Sequence, residues 1–114
     1  MESVSLNSVA DEQLGLAREA HSGRAAHTVH GGVGHFLRQT VIALAGGTGL
    51  AEHESPGEAT LQVLRGRVRL TTAGDTWNGS AGDLLVIPQE RHGLHADEDA
   101  VVLLTVLADS RPAQ

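Results

Sequence analysis

The segments GLAEHESPGEATLQVLRG, residues 49–66, and AGDLLVIPQERH, residues 81–92, decide the fold of this chain. Each combines a run of aliphatic and β-branched residues with glycine or proline, which is the pattern of short strands joined by tight turns. Each also carries one histidine, His53 in the first and His92 in the second. The two segments therefore predict both the class of fold and the first place to search for a functional site.

The rest of the chain from residue 25 onward has the same pattern of short strands separated by turns, because glycine turns recur about every ten residues. The predicted strands are residues 25–30, 35–45, 50–54, 59–64, 67–73, 76–78, 83–87, 93–96 and 100–107. Before them, Ser8 followed by Asp11 and Glu12 marks a helix start, and an apolar stripe continues to Gly23. We expect an all-β jelly-roll barrel over residues 25–114, preceded by a tail and short α-helix over residues 1–24.

Composition narrows the functional classes. The chain has 114 residues, which suits one domain with one core, and a formal charge of -6 without clusters of Lys or Arg. Direct binding to nucleic acid is a poor expectation, because neutralising a phosphate backbone needs several basic side chains. No apolar run is long enough to span a bilayer and the first ten residues lack a signal-peptide pattern, so we expect a soluble, cytoplasmic protein without membrane contact. With no cysteine, metal ligands are limited to histidine, carboxylates and water.

Two predicted strands, residues 83–87 and 100–107, are almost entirely apolar. Such strands are buried on both faces, or are buried on one face and covered on the other by a helix or a second subunit. The second option predicts a homodimer.

The two opening segments together resemble the motifs of the cupin family, and the likeness covers about residues 40–107. The first motif is matched by the stretch from Gly49 through His53 to Gly66, and the second by Gly82-Asp83, Pro88 and His92. The order and approximate spacing of the two halves carry the resemblance. It implies a cupin-type β-barrel with a site in the barrel mouth.

In that family the first motif usually supplies His-x-His followed by a Glu, and the second supplies one further His, so that a divalent metal is held in the barrel. The resemblance assigns His53 and His92 as the first and last ligands, whereas Ser55 and Ala59 replace the other two. Glu58 lies one residue early and would point outward unless a bulge turns it inward. The resulting hypothesis is a site of His53, His92 and Glu58 for Fe, Mn, Ni or Zn, and a site without metal is an equal alternative.

The remaining polar candidates are Ser55, Gln39 and His35, which we assign to ligand binding at the barrel mouth. Which face of the strand over residues 35–45 points inward stays open, and an inward His35 would supply a third metal ligand. Simple strand alternation places His27 and His30 on opposite faces, so at most one of them reaches a common site.

Three functions remain after these exclusions. The first is a barrel that binds a small molecule, with or without a divalent metal on His53 and His92. The second is a metal-dependent enzyme of the dioxygenase, isomerase or lyase type. The third is a non-catalytic sensor or regulatory partner protein, for which contact with DNA would be indirect because the sequence contains no helix-turn-helix pattern.

Overall fold

A computed structural model describes residues 1–107, and these form one helix and nine strands. The elements are α1 (Leu6–Glu19), β1 (Arg24–His30), β2 (Leu37–Leu44), β3 (Gly49–His53), β4 (Ala59–Arg65), β5 (Arg67–Thr71), β6 (Thr76–Ser80), β7 (Leu84–Val86), β8 (His92–Ala96) and β9 (Ala100–Leu107). The last seven residues of the predicted barrel, 108–114, lie outside the described residues.

Two antiparallel sheets make up the barrel. One has the strand order β1-β2-β9-β4-β7 and the other β3-β8-β5-β6. Chain neighbours such as β4 and β5 lie in different sheets, and the strands that close each sheet come from distant parts of the sequence, as in a jelly roll. The predicted all-β fold with one short N-terminal helix is confirmed.

The core fills the space between the two sheets. Even-numbered residues of β2 and β9 and odd-numbered residues of β4 point inward, where they meet side chains of the second sheet. The buried members of this core are Leu44, Ala59, Leu61, Val63, Val68, Leu70, Ile87, Leu94, Ala96, Ala100, Val102 and Val106. Aliphatic residues build nearly all of it, in agreement with the scarcity of aromatic residues in the sequence.

Helix α1 covers part of the outer face of the five-stranded sheet. Ala10, Leu14 and Ala17 of the helix pack against odd-numbered residues of β2 and β9, including Val41 and Val101. The helix begins earlier than expected, because the N-cap is Ser5 and its side chain accepts the N–H of Ser8. The helix thus explains why β9 is apolar on both of its faces.

Among the described residues, no element covers strand β7 in this way. Its Leu85 points into the core, whereas Leu84 and Val86 are 62% and 71% exposed on the outer face. Of the two apolar strands, the fold of one chain therefore buries β9 on both faces and β7 on one only.

Within residues 1–107, the helix is too short and too polar to cross a bilayer.

Candidate functional site

A bulge in β3 turns His53 into the barrel. In the pairing of β3 with β8, Leu50 lies opposite Leu94 and His53 lies opposite His92, so that two residues of β3 face one residue of β8. Leu50 and Leu94 both belong to the core side of the sheet. Regular alternation from Leu50 would direct residue 53 outward, and the extra residue reverses that direction.

The two histidine rings meet at the mouth of the barrel. Their centroids are 4.6 Å apart and the planes make an angle of 64°, an edge-to-face contact. His92 is 3% exposed, whereas His53 is exposed at the rim. The pair thus has one member fixed in the wall of the barrel and one at its opening.

Each of the two rings is oriented by a hydrogen bond of the same kind, between Nδ1 and a backbone carbonyl. Nδ1 of His53 lies 2.9 Å from the carbonyl oxygen of Ala51, and Nδ1 of His92 lies 2.8 Å from that of Glu90. Because a carbonyl oxygen only accepts, Nδ1 carries the proton in each ring and Nε2 keeps its lone pair in the neutral form. Neither Nε2 has a hydrogen-bond partner within the described chain.

The Nε2 atom of His92 also reaches solvent in spite of the burial of the residue. No buried side-chain nitrogen or oxygen of residues 1–107 lacks a hydrogen-bond partner. Since Nδ1 makes the only hydrogen bond that the His92 ring forms with these residues, Nε2 is not fully enclosed by them. Both rings therefore offer an unoccupied nitrogen at the opening of the barrel.

An ion-pair cluster on the outer side of the sheet links the strand ends that carry the two histidines. The guanidinium of Arg91 lies 3.3 Å from a carboxylate oxygen of Glu52 and 3.3 Å from one of Glu54. Arg91 precedes His92, and the two glutamates flank His53. The charged groups of this cluster face water, so they join the two strands without placing a charge in the mouth.

The structure does not bring Glu58 together with the histidines, and metal binding by Glu58 stays a prediction. The residue immediately precedes β4 and its side chain is exposed. Ala59, next along the chain, points into the core, so alternation turns Glu58 outward. The bulge that would have turned it inward is found in β3 instead, where it acts on His53.

The hydroxyl of Ser55 forms hydrogen bonds within its own loop. Its hydroxyl donates to the carbonyl of Gly57 at 3.2 Å and accepts the N–H of the same residue at 3.3 Å. Gly57 has a φ of +105°, a conformation that glycine adopts without strain. Ser55 therefore shapes the turn between β3 and β4, and ligand binding by Ser55 stays a prediction.

Gln39 and His35 are placed away from the histidine pair. Gln39 lies on the helix-covered face of β2, where its amide donates to the hydroxyl of Thr105 at 3.2 Å. His35 precedes β2, which begins only at Leu37, and its ring lies 4.8 Å from that of His30. The sequence did not determine which face of this strand points into the barrel. In the structure Arg38 and Thr40 lie on the inward face and Gln39 lies on the outer face.

A second bulge corrects the expected placement of His27 and His30. The register of β1 shifts between Thr28 and His30, so that His27 lies opposite Val41 and His30 opposite Gln39. Both partners are on the helix-covered face of β2, and the two histidines therefore share that face. Alternation alone had predicted opposite faces.

The donor set at the mouth is too small for a resident metal. The imidazole orientation suits a metal, since Nδ1 is held by a backbone oxygen and Nε2 is free. Protein metal sites normally use at least three side-chain ligands, and residues 1–107 contain no group of three His, Cys, Asp or Glu side chains that could hold an ion. The residues present form a two-nitrogen site and not a complete metal centre.

The sequence comparison with known families agrees with this architecture. The model of the cupin domain family matches residues 40–107, which is more than half of the chain. The chain belongs to the cupin family. No curated protein is significantly similar to this cupin in sequence.

Solved structures show the same barrel. A conserved protein of unknown function from Streptococcus pyogenes is 25% identical with a TM-score of 0.70, covering 100% of this cupin and 93% of that chain. A cupin superfamily protein from Desulfitobacterium hafniense is 17% identical with a TM-score of 0.69, covering 75% and 78% of the two chains. A variant of salicylate 1,2-dioxygenase from Pseudoaminobacter salicylatoxidans is 25% identical with a TM-score of 0.72, covering 91% of this cupin but 33% of the dioxygenase. This cupin thus spans about a third of the length of that enzyme.

Proposed function

We propose that this cupin binds a small organic molecule at the barrel mouth and that Nε2 of His53 and Nε2 of His92 are the groups that recognise it. The observation that supports the proposal is the bulge in β3, which places His53 directly opposite His92. With Nδ1 of each ring bonded to a backbone carbonyl, the two Nε2 atoms are the positions that can accept hydrogen bonds from a ligand. Such a pair suits a ligand that donates hydrogen bonds, for example from a hydroxyl group.

The burial of His92 supports recognition over an incidental contact. Ordering a surface histidine for binding costs side-chain entropy, whereas a ring held in the wall by packing and by its Nδ1 hydrogen bond is ordered before the ligand arrives. Exposed His53 can adjust to the ligand at the rim. The pair therefore combines one fixed and one adaptable acceptor.

A metal-dependent enzyme is the second candidate, and the structural likeness to a salicylate 1,2-dioxygenase favours it. A divalent ion would supply Lewis acidity or activation of dioxygen. This cupin offers only His53 and His92 toward such an ion, so any tight binding would need ligand atoms from the bound molecule itself. The binding function requires no additional donors and is therefore preferred. The role of sensor or regulatory partner remains a downstream use of the same binding site.

The test is a titration of the untagged protein followed through the imidazole nitrogen resonances in 15N NMR spectra. Catechol, salicylate and choline serve as neutral, anionic and cationic probes that each carry a hydroxyl group. We expect at least one of them to shift the Nε2 resonances of His53 and His92 and to leave His95 unchanged, since His95 is exposed on the opposite face of β8. His95→Ala is the matched control for the His53→Ala, His92→Ala double variant.

The outcomes separate the two candidates. If none of the three probes shifts the pair, or if the double variant binds them as the wild type does, the proposed recognition by the histidines is wrong. Elemental analysis of protein purified without chelator should find far less than one equivalent of transition metal. A full equivalent that is lost in the double variant and retained in His95→Ala would favour the metal-dependent enzyme instead.

A further inference from the structure

A pocket opens at the same end of the barrel as the histidine pair. It has a volume of about 240 Å³ and is lined by Leu70, Thr72, Asp75, Thr76, Trp77, Leu85, Pro88 and Glu90. β5 ends next to the start of β8, because Thr71 pairs with Gly93, the residue after His92. The pocket therefore lies between the turn joining β5 to β6 and the loop joining β7 to β8, beside the mouth.

One wall of the pocket is the indole of Trp77, the only tryptophan of the chain. Trp77 pairs with Leu70 on the inward face, and its ring lies over Gly79. A Cβ atom added at residue 79 would be only 2.1 Å from Cη2 of the indole. The glycine therefore makes room for the ring, and Leu70 and Leu85 form the apolar floor beside it.

The rim of the pocket is acidic. Asp75 and Glu90 both line it, and neither carboxylate forms an ion pair within the described residues. One carboxylate oxygen of Asp75 accepts the N–H of Thr76 at 2.8 Å, which fixes that side chain over the turn. An aromatic ring and two carboxylates without a cation between them are the complement of a positively charged ligand.

The nearby basic side chains are already neutralised. Arg91 follows Glu90 in the chain but is paired with Glu52 and Glu54 on the outer face. Arg69 of β5 is paired with Asp97. The formal charge of -6 adds a long-range attraction for cations.

We propose that this pocket binds a small organic cation, an alkylammonium or quaternary ammonium group, against the indole of Trp77 and between Asp75 and Glu90. The proposal rests on the proposed function, because it gives the charge and class of the molecule whose other end meets the histidines. The two subsites share the loop from Pro88 to His92, in which the carbonyl of Glu90 accepts the Nδ1 proton of His92. An organic cation suits the site better than Ca²⁺ or Mg²⁺, which need about six oxygen ligands and gain nothing from an apolar floor.

The experiment is a titration with choline, followed by the fluorescence of Trp77 and by calorimetry. The uncharged isostere 3,3-dimethyl-1-butanol has the same shape without the positive charge and serves as the matched probe. We expect saturable binding of choline with a change in Trp77 emission, and binding of the alcohol weaker by about tenfold or more. Equal affinity for the two probes, or competition by Ca²⁺ at equal concentration, would overturn the organic-cation site.

Substitutions at Asp75, Glu90 and Trp77 test which side chains contact the cation. Asp75→Asn combined with Glu90→Gln should weaken choline binding by about tenfold or more, whereas Glu19→Gln, an exposed carboxylate on α1, should leave it unchanged. Trp77→Leu should weaken binding in calorimetry, and Trp77→Phe should restore part of it because an aromatic face returns. Unchanged affinity in the double acidic variant would refute the proposed rim. Circular dichroism and thermal melting confirm that each variant is folded.

The two proposals fail separately. If choline binds as predicted and the His53→Ala, His92→Ala variant retains full affinity, the cation site stands and recognition by the histidines is wrong. If catechol or salicylate shifts the histidine resonances while choline does not bind, the histidine site stands and the cation site is wrong.

Discussion

Ala59 occupies the start of β4 with its side chain on the inward face of the sheet, where it is 3% exposed. The cupin motif usually has a metal-binding glutamate at the position that Ala59 occupies. A single methyl group thus stands where the third ligand of a metal centre would be expected. Together with Ser55, which replaces the second histidine of the motif, Ala59 leaves two of the four expected ligand positions without a metal ligand.

Ala59→Glu should therefore create affinity for Zn²⁺. The new carboxylate joins two imidazoles whose Nε2 atoms are free, so we expect zinc affinity to rise by about tenfold or more over the wild type. Without metal the same variant should melt at a lower temperature, because a carboxylate replaces a buried methyl group. Zinc titration by calorimetry and thermal melting with and without Zn²⁺ measure both effects.

Glu58→Gln is the matched control, since it alters the neighbouring exposed carboxylate. It should change neither zinc affinity nor melting temperature. A fall in zinc affinity in Glu58→Gln would show that the exposed carboxylate does reach the metal.

At this scale the motifs identified His53 and His92 but missed their geometry. The ligand assignment follows from residue types and spacing. The direction of the His53 side chain depends on a bulge, and no residue between Leu50 and His53 indicates that bulge in the sequence. Glu58 faces outward, as strand alternation predicts when no bulge precedes β4, and the bulge lies in β3 instead. The acidic rim around Trp77 could not be found from the sequence, since Asp75 and Glu90 come together only through the pairing of β5, β6 and β8.

At the scale of elements, one aspartate ties three segments together. Asp99, in the turn between β8 and β9, accepts the N–H of Gly46 at 2.8 Å and the guanidinium N–H of Arg18 at 2.8 Å. These contacts join the end of α1, the turn after β2 and the turn before β9. The hydrogen bond from Gly46, followed by that from Arg18, lowers the pKa of Asp99 from its ordinary value of 3.8.

The lowered pKa predicts an acid-dependent loss of stability. A carboxyl group with a depressed pKa in the folded state stabilises the fold above its ordinary pKa, and this contribution is lost as the pH falls through the folded pKa. Asp99→Asn should lower the free energy of unfolding at pH 6 by about 0.5–1 kcal/mol, a modest value because the side chain is 38% exposed. The difference between variant and wild type should shrink at pH 3.

Urea denaturation at the two pH values measures this difference. Glu98→Gln in the same turn is the control, because among residues 1–107 Glu98 makes a single ion pair, a 3.8 Å contact to Arg67, and its side chain is 59% exposed. A difference for Asp99→Asn that stays constant between pH 6 and pH 3 would contradict the assignment.

The positions of the strands were more predictable than the faces on which their side chains lie. All nine strands occur where glycine turns and apolar runs placed them, because each turn has a local cause. Gly66 shows this, with a φ of +74° and no room for a Cβ, which would lie 2.2 Å from the carbonyl oxygen of Asp99. The faces of β1 and β3 were not predictable beyond their bulges, and the start of α1 was displaced because Ser5 and Ser8 are both capable N-caps.

At the scale of the whole molecule, the five-stranded sheet is covered unevenly. Helix α1 packs over β1, β2 and β9 and contacts only the end of β4, at Leu64 and Arg65, whereas within residues 1–107 no helix covers the outer face of β7. β7 is also the edge of that sheet, and Leu84 and Val86 are exposed there beside Thr60 and Gln62. Of the two apolar strands on which the homodimer prediction rested, only β7 thus presents an uncovered apolar face, at the edge of the sheet.

We propose that a second copy of the chain covers this edge. Two identical patches related by a two-fold axis would bury Leu84 and Val86 against each other without requiring a different partner surface. Light scattering coupled to size-exclusion chromatography should therefore give twice the 11.9 kDa of one chain. Leu84→Glu combined with Val86→Glu should shift the mass to that of a monomer, because two like-charged patches repel and no longer bury apolar area.

The control must separate this edge from exposed apolar residues in general. Leu16 of α1 is 52% exposed, and Leu16→Glu should leave the dimer intact. A monomeric wild type at 100 µM, or dissociation by Leu16→Glu but not by the β7 variant, would place the contact elsewhere. Since β7 leads into the loop that carries Glu90 and His92, a dimer formed at this edge would also restrain the loop shared by both ligand subsites, and the β7 variant should then bind choline more weakly than the wild type.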